Sequence, residues 1–421
     1  MRTLHSIPRI LASIRAGALV AVMAGALAFT AAPGAAREDA DTKVFDEAAR
    51  VVRENFYDPK MKGKDWDAIV ASYKPRYLAS DSARQRSDAI NAMLAELDAS
   101  HTMHVADIDP RYYQLVDIFR FGLRDSIPKH LPYGVSYAGI GIFTREIEGK
   151  IFVTGVIAGL PAEKAGINVG DEIVPGDDKP FEPVLSFRGK VGSPVKISLR
   201  RERGGPLSIV ELRPERIEPG KAFRAAMRDG ARIIEANGKR IGYIHLWSYA
   251  GERYQDALTE ELSTGKLKDA DALIWDLRDG WGGAQPRYLD LFNARGPDMT
   301  FTERSGETDY ASFKWRKPVA ALVNGGTRSG KEVLAYGFKT YGYGEVIGTR
   351  TAGALLAGRG FLLSDGSFLR VSVNDGGVNG ERLEGKGVAP TIEIPFDIPY
   401  AGGRDPQLDK AVEVLSEGSR G

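Results

Sequence analysis

The sequence predicts a multidomain α/β protein: a helical N-terminal domain, a β-rich domain, then a core of alternating strands and helices. Three observations predict it. Between residues 41 and 125 apolar residues recur at helical spacing, with Val44, Ala48, Val51 and Val52 on one stripe and Ile90, Met93, Leu94 and Leu97 on another. From about 133 to 217, short β-type runs are separated by Gly and Pro. Beyond Pro219, apolar runs of strand length alternate with helical segments, as when crossover helices cover a largely parallel sheet.

Each element follows in order. The helical domain, expected over 38–128, is broken at Tyr57, Asp58 and Pro59 and again near Pro75. In the β-rich domain, expected over 133–217, strand-like runs start at Ile140, Ile151 and Val195. Pro161 to Gly166 reads as a short helix with Pro in its first turn and Gly at its end. The core, expected over 218–400, offers strands at Ile241 to Leu246, Ala272 to Leu277 and Val319 to Val323. Helices at Tyr254 to Leu262 and Lys331 to Tyr341 lie between them. Residues 401–421 are left as a C-terminal helix or tail.

Residues 1–36 differ from all of this. Arg2, Arg9 and Arg15 precede the apolar run Ala16 to Phe29, and small residues follow from Ala31 to Ala36. That is the order of a secretory signal, with cleavage expected after Ala36. An uncleaved anchor is the other reading, although the apolar run is short for a full span. There is no twin-arginine pair, so general secretion to the periplasm or the medium is expected. Cleavage would take away three arginines and no acid, moving the formal charge from +1 to −2. A near-neutral chain points to no nucleic-acid partner and leaves peripheral membrane association open. The 421 residues include no cysteine, which excludes disulfides, zinc–thiolate sites and a thiol nucleophile. If the protein is an enzyme, its nucleophile is expected to be a hydroxyl.

The segment Val323 to Val333 offers that hydroxyl. A strand runs through Asn324, Gly325, Gly326 and Thr327 to Ser329, placed where a helix begins. Free N–H groups at a helix start point at any oxyanion formed there. A plain helix-capping serine would look the same. Context separates the two. Gly139, Ile140, Gly141 and Ile142, followed by Val153 to Ile167 and Gly170 to Val174, resemble a bacterial PDZ domain. Such a domain takes a peptide C-terminus as an added strand, with those four residues as the expected peptide contacts. Asp276 to Gly283, Gly348 to Gly353 and Gly387 to Pro390 together with Ser329 are similar to the C-terminal processing peptidase and tricorn superfamily, S41. The resemblance implies a ClpP/crotonase-like core, Ser329 as nucleophile, and oxyanion donors from Gly330 and from the Gly282–Gly283 turn.

A serine needs a base. The processing branch uses a lysine in a turn matching Thr351 to Ala354, and here alanine stands in its place. Leu97 to Thr102 resembles the Ser-His element of the tricorn branch, and Leu383 to Pro390 the segment carrying its glutamate. The resemblance therefore implies a tetrad of Ser329, His101, Ser100 and Glu384, without a cofactor or metal. His104 competes with His101, and Glu381 is the reserve for Glu384. Lys331, on the far side of a helix from Ser329, reads as solvated; His245, Glu332, Asp276 and Arg278 read as structural. The expected function is an exported, PDZ-assisted serine endopeptidase that cleaves peptides or protein tails. An inactive peptide- or ligand-binding protein and an esterase-type acyl hydrolase are the alternatives.

Overall fold

The computed structural model describes residues 33–176, 180–297 and 299–417. The expected export segment lies outside these except for residues 33–36, which open the first helix, Pro33–Asn55. The chain divides into two compact units, Met1–Asp41 and Thr42–Gly421, and the second carries every functional candidate.

Helices Trp66–Leu78 and Ala83–Ala95 start at Asp65 and Ser82, whose side chains accept from the N–H groups of Ala68 and Gln85. Each such cap contributes about 1 kcal/mol. Phe45, Val52, Trp66, Ile90, Met93 and Leu94 form the local core. Leu363, Leu369 and Val371 join this core from far downstream. They belong to a hairpin, Ala357–Leu362 and Phe368–Asn374, whose second strand pairs with Met103–Val105. A piece of the predicted core segment is thus stitched into the helical region.

The β-rich region is a five-stranded antiparallel sheet in the order Ile142–Ile147, Lys150–Val156, Glu172–Val174, Val195–Arg200 and Leu207–Leu212. Tyr137–Gly139 pairs with Glu215–Ile217 where the chain enters and leaves. The strand expected at Ile140 starts two residues later, because Gly141, at φ +83°, turns the chain first.

The third region is a six-stranded sheet. Ile392–Glu393, Glu345–Gly348, Val319–Val323, Ala272–Asp276 and Lys239–His245 run parallel, and Arg232–Ala236 closes the edge antiparallel. All residues of Ala272–Asp276 and Val319–Val323 are buried, as expected of parallel strands covered on both faces. One face packs Leu273, Trp275 and Ala321 against Leu334 and Phe338 of helix Gly330–Thr340. The other packs Ile274, Leu322 and Ile347 against Ala411 and Leu415 of helix Pro406–Glu417. Each fully buried Leu or Ile contributes about 1.5–3 kcal/mol. The carboxyl ends of these strands, where ligands of open α/β sheets bind, deliver the segments that follow Val323 and Asp276.

Candidate active site

Ser329 stands between Val319–Val323 and the helix beginning at Gly330, at φ 58° and ψ −131°. A side-chain-bearing residue rarely adopts this conformation, and it persists only where surrounding structure enforces it. The enforcement is visible. Thr327, fully buried, donates to the Leu277 carbonyl at 3.0 Å. Asn324 accepts from the N–H groups of Gly326 and Asp279 and donates to the Asp279 carboxylate at 3.0 Å. Ser329 N–H donates to the Ala354 carbonyl at 2.8 Å and to Glu332 at 3.0 Å.

Glu332 is buried and also accepts from Thr351 Oγ1 and the N–H groups of Gly353 and Ala354. Burial raises its carboxyl above the usual range, against the pull of these four donors. It clamps the 351–354 turn onto the start of the helix. Ala354, expected from the resemblance to stand at the lysine position of the processing branch, therefore abuts Ser329 and presents a methyl group there.

Gly282 and Gly330 meet beside Ser329. A Cβ on Gly282 would lie 2.6 Å from both Ser329 Cβ and the Arg328 oxygen, and 2.9 Å from the Gly330 nitrogen. A Cβ on Gly330 would lie 2.4 Å from Ala284 N. Gly283, at φ +100°, packs against Ala250. Only glycine permits so close an approach of two backbones.

Lys331 corrects the sequence reading. It is fully buried, and its ammonium donates to the carbonyls of Leu246 and of Asp279, the latter at 2.8 Å. Burial lowers its pKa to about 7. It braces the ends of two core strands from beneath. The signal was present in the helix: residues 331, 334, 335 and 338 share one stripe, and the other three are apolar.

On the far side of the site, Ser100 N–H donates to Glu384 Oε1 at 2.9 Å and Ser100 Oγ donates to Oε2 at 2.8 Å. Glu384 also accepts from the N–H groups of Leu355 and Leu356. Ser372 Oγ donates to the Ser100 carbonyl, and Ser372 N–H to Thr102 Oγ1 at 3.2 Å. His101, at φ 61°, is 4% exposed, and its Nε2 has no hydrogen-bond partner among the described residues. Burial, then the charges of Arg370 and Arg328, hold its pKa well below the ordinary 6.5. Arg328 immediately precedes Ser329, so the imidazole lies within electrostatic range of the Ser329 turn.

The competing residues are engaged elsewhere. His104 is bonded at both nitrogens, to Ser87 Oγ at 2.9 Å and Ser367 Oγ at 2.8 Å. His245 Nε2 faces the Arg278 carbonyl at 2.9 Å, and its ring stacks on Trp247. Glu381 accepts from the Tyr336 hydroxyl at 2.9 Å. Asp276 accepts from Tyr243 and Arg278, and Arg278 also grips Asp405, bracing the strand end. In the β-rich region, the side chains of Ile140 and Ile142 lie in the local core. The carbonyls of Ile140 and Gly141 accept from Ala162 and Ile157, and Gly139 pairs with Glu215. What is left for a ligand is the outer edge of Ile142–Ile147, which no described strand pairs.

The description "Peptidase family S41" matches residues 240–394, and "Tricorn protease C1 domain" matches residues 39–95. Both matches fall within the S41/tricorn-like peptidase superfamily, which this chain resembles along most of its length. Among its S41/tricorn-like relatives, tricorn protease homolog 1 of Streptomyces coelicolor is 25% identical over 88% of this chain and 35% of its own. The carboxy-terminal processing protease CtpA of Bacillus subtilis is 29% identical over 80% of this chain and 70% of its own. The crystal structure of the tricorn protease superposes with a TM-score of 0.50 at 19% identity, over 90% of this chain and 37% of that one, a likeness of fold. The chain spans about a third of the length of the tricorn-type relatives it matches.

Proposed function

We propose that this protein is an exported serine endopeptidase that works through the tetrad Ser329, His101, Ser100 and Glu384. The observation that carries this reading is the pair of hydrogen bonds between Ser100 and Glu384, 284 positions apart, beside a 351–354 turn that lacks a lysine. A carboxylate bound through Ser100 next to a buried imidazole is the support a histidine base needs, to stay oriented and to carry a proton.

In this mechanism His101 takes the proton of Ser329 as its oxygen attacks the scissile carbonyl. The N–H groups of Gly330 and of the Gly282–Gly283 turn hold the oxyanion. His101 returns the proton to the leaving amine, and water then clears the acyl-enzyme. Each oxyanion donor is worth about 3–4 kcal/mol in the transition state. The outer edge of Ile142–Ile147, in what we take as a PDZ-like domain over 133–217, adds the substrate as a strand. The relatives named for carboxy-terminal processing support cleavage near a C-terminus. Cationic start, apolar run and small residues within 1–36 support export.

The test is labelling with a serine-directed fluorophosphonate. Wild type is expected to label, Ser329→Ala not at all, and His101→Ala at least ~10²-fold more slowly. Labelling that survives both substitutions defeats the assignment.

A further inference from the structure

A buried positive charge beside the site has no role in that mechanism. Arg370 lies on the strand Phe368–Asn374 opposite Met103, two residues past His101. Its side chain is on the same face as those of Phe368 and Ser372, away from Leu369 and Val371, which enter the helical-region core. It is 8% exposed, and its Nε has no hydrogen-bond partner among the described residues. What holds it is flat packing: its guanidinium sits 5.3 Å from the Phe119 ring centroid, and Gly358 leaves the room. A Cβ on Gly358 would come within 2.4 Å of Nε.

Arg328 is the second member. Its guanidinium lies 5.7 Å from the Trp281 ring centroid and donates once, to the Gly326 carbonyl at 3.2 Å. Asp279 and Glu332 are within its electrostatic range, but Asp279 is bonded to Asn324 and Glu332 to four donors. Arg370, Arg328 and His101 feel one another's charge. Burial, and then the charge of Arg328, takes Arg370 down to about 9.

A buried guanidinium and a half-buried one, both within electrostatic range of His101 and neither ion-paired with a carboxylate among the described residues, are costly to the folded protein. The cost has a use where a ligand supplies the missing charge, since the planar fork of arginine fits a carboxylate through two parallel bonds. We propose that Arg370 and Arg328 form a subsite beside His101 that takes a carboxylate of the peptide substrate. This rests on the peptidase reading and narrows it to a substrate class. The carboxylate comes from an acidic side chain near the scissile bond or from the free C-terminus of the peptide.

The experiment is protection of Ser329 from fluorophosphonate labelling, which reports occupancy of the site alone. Four hexapeptide probes are compared: a glutamate peptide and its glutamine counterpart, each with a free or an amidated C-terminus. At least one carboxylate is expected to improve half-protection by ~10-fold or more over its neutral partner. A glutamate effect identifies the side chain, and an amidation effect identifies the C-terminus. Arg370→Gln should bring the partners within twofold, and Arg370→Lys should retain part of the preference. If Arg370→Gln does not fold, Arg328→Gln, at a half-buried position, should cut the preference about threefold.

Equal protection by all four probes overturns the subsite, and so does a preference undiminished by both glutamine substitutions. Failure of wild type to label defeats the peptidase reading instead. In that case, fluorescence anisotropy of the four probes on Ser329→Ala, with and without Arg370→Gln, decides the subsite. The difference between those two proteins cancels any binding by the β-rich region.

Discussion

The two halves of the site are built in different ways. Around Ser329, nearly every constraint comes from within a few dozen residues: Asn324, Thr327, Glu332 and the 351–354 turn surround it. Around His101, every constraint comes from afar. Ser372 and Glu384 hold Ser100, and the pairing of Met103–Val105 with Phe368–Asn374 fixes the strand that follows. The local half can be rigid as soon as one sheet forms. The distant half is as firm as the docking of the helical region onto the hairpin. The proposed nucleophile and oxyanion donors are thus a property of the core, and the proposed base is a property of the whole chain.

Substitutions can break this comparison in order of size. Gly282→Ala strikes the local half, where its methyl would meet Ser329 Cβ, the Arg328 oxygen and the Gly330 nitrogen. We expect a fall in kcat of ~10³-fold with secondary structure retained, measured by peptide hydrolysis and circular dichroism. A loss under tenfold would show that the turn is not as tight as described.

The distant half should be the acid-sensitive one. Burial lowers the pKa of His104 to about 4, from an ordinary 6.5. As pH falls through that window the unfolded chain takes up a proton before the folded one does. The stability from a neutral His104 is present above 6.5 and is lost progressively down to 4, by about 3 kcal/mol. Chemical denaturation at pH 7 and pH 4 should show this loss in wild type and a smaller one in His104→Gln. Equal losses would remove His104 as the cause.

Glu384→Gln sharpens the comparison most finely. It keeps an acceptor for Ser100 and removes the charge that favours an imidazolium. A fall in kcat of about tenfold is expected, with KM little changed and fluorophosphonate labelling of Ser329 slowed in parallel. The pH dependence of kcat/KM is the companion measurement. The lowered pKa of His101 should place the acid limb below 6.5, and Arg370→Gln, which removes one depressing charge, should move that limb upward.

What could be read in the sequence follows the same division. The Ser329 turn, the glycines at 282 and 283 and the buried strand runs are contiguous motifs, so their physics is local. The Ser-His resemblance favours His101 and leaves His104 as its competitor; only the folded hairpin supplies Ser367 to occupy His104, while His101 Nε2 has no partner among the described residues. Lys331 reads as a solvated charge from its two-residue offset from Ser329, although its place in the stripe with Leu334, Ala335 and Phe338 marks the buried face. Arg370 drew no notice because a lone arginine between apolar neighbours is ordinary in a strand with one face open to water. Its burial arises from Phe119 and Gly358, which no spacing rule connects to it.

The bond between Ser100 and Glu384 also sets a time. A ribosome that has released the chain as far as Ser329 has made the proposed nucleophile and the histidine, but not the carboxylate that holds Ser100. Only after residue 384 emerges, and after the earliest and latest parts of the second unit have found each other, is the proposed tetrad complete. On that reading, safety during synthesis needs no separate inhibitor: it is written into the distance along the chain between the parts of one proposed active centre.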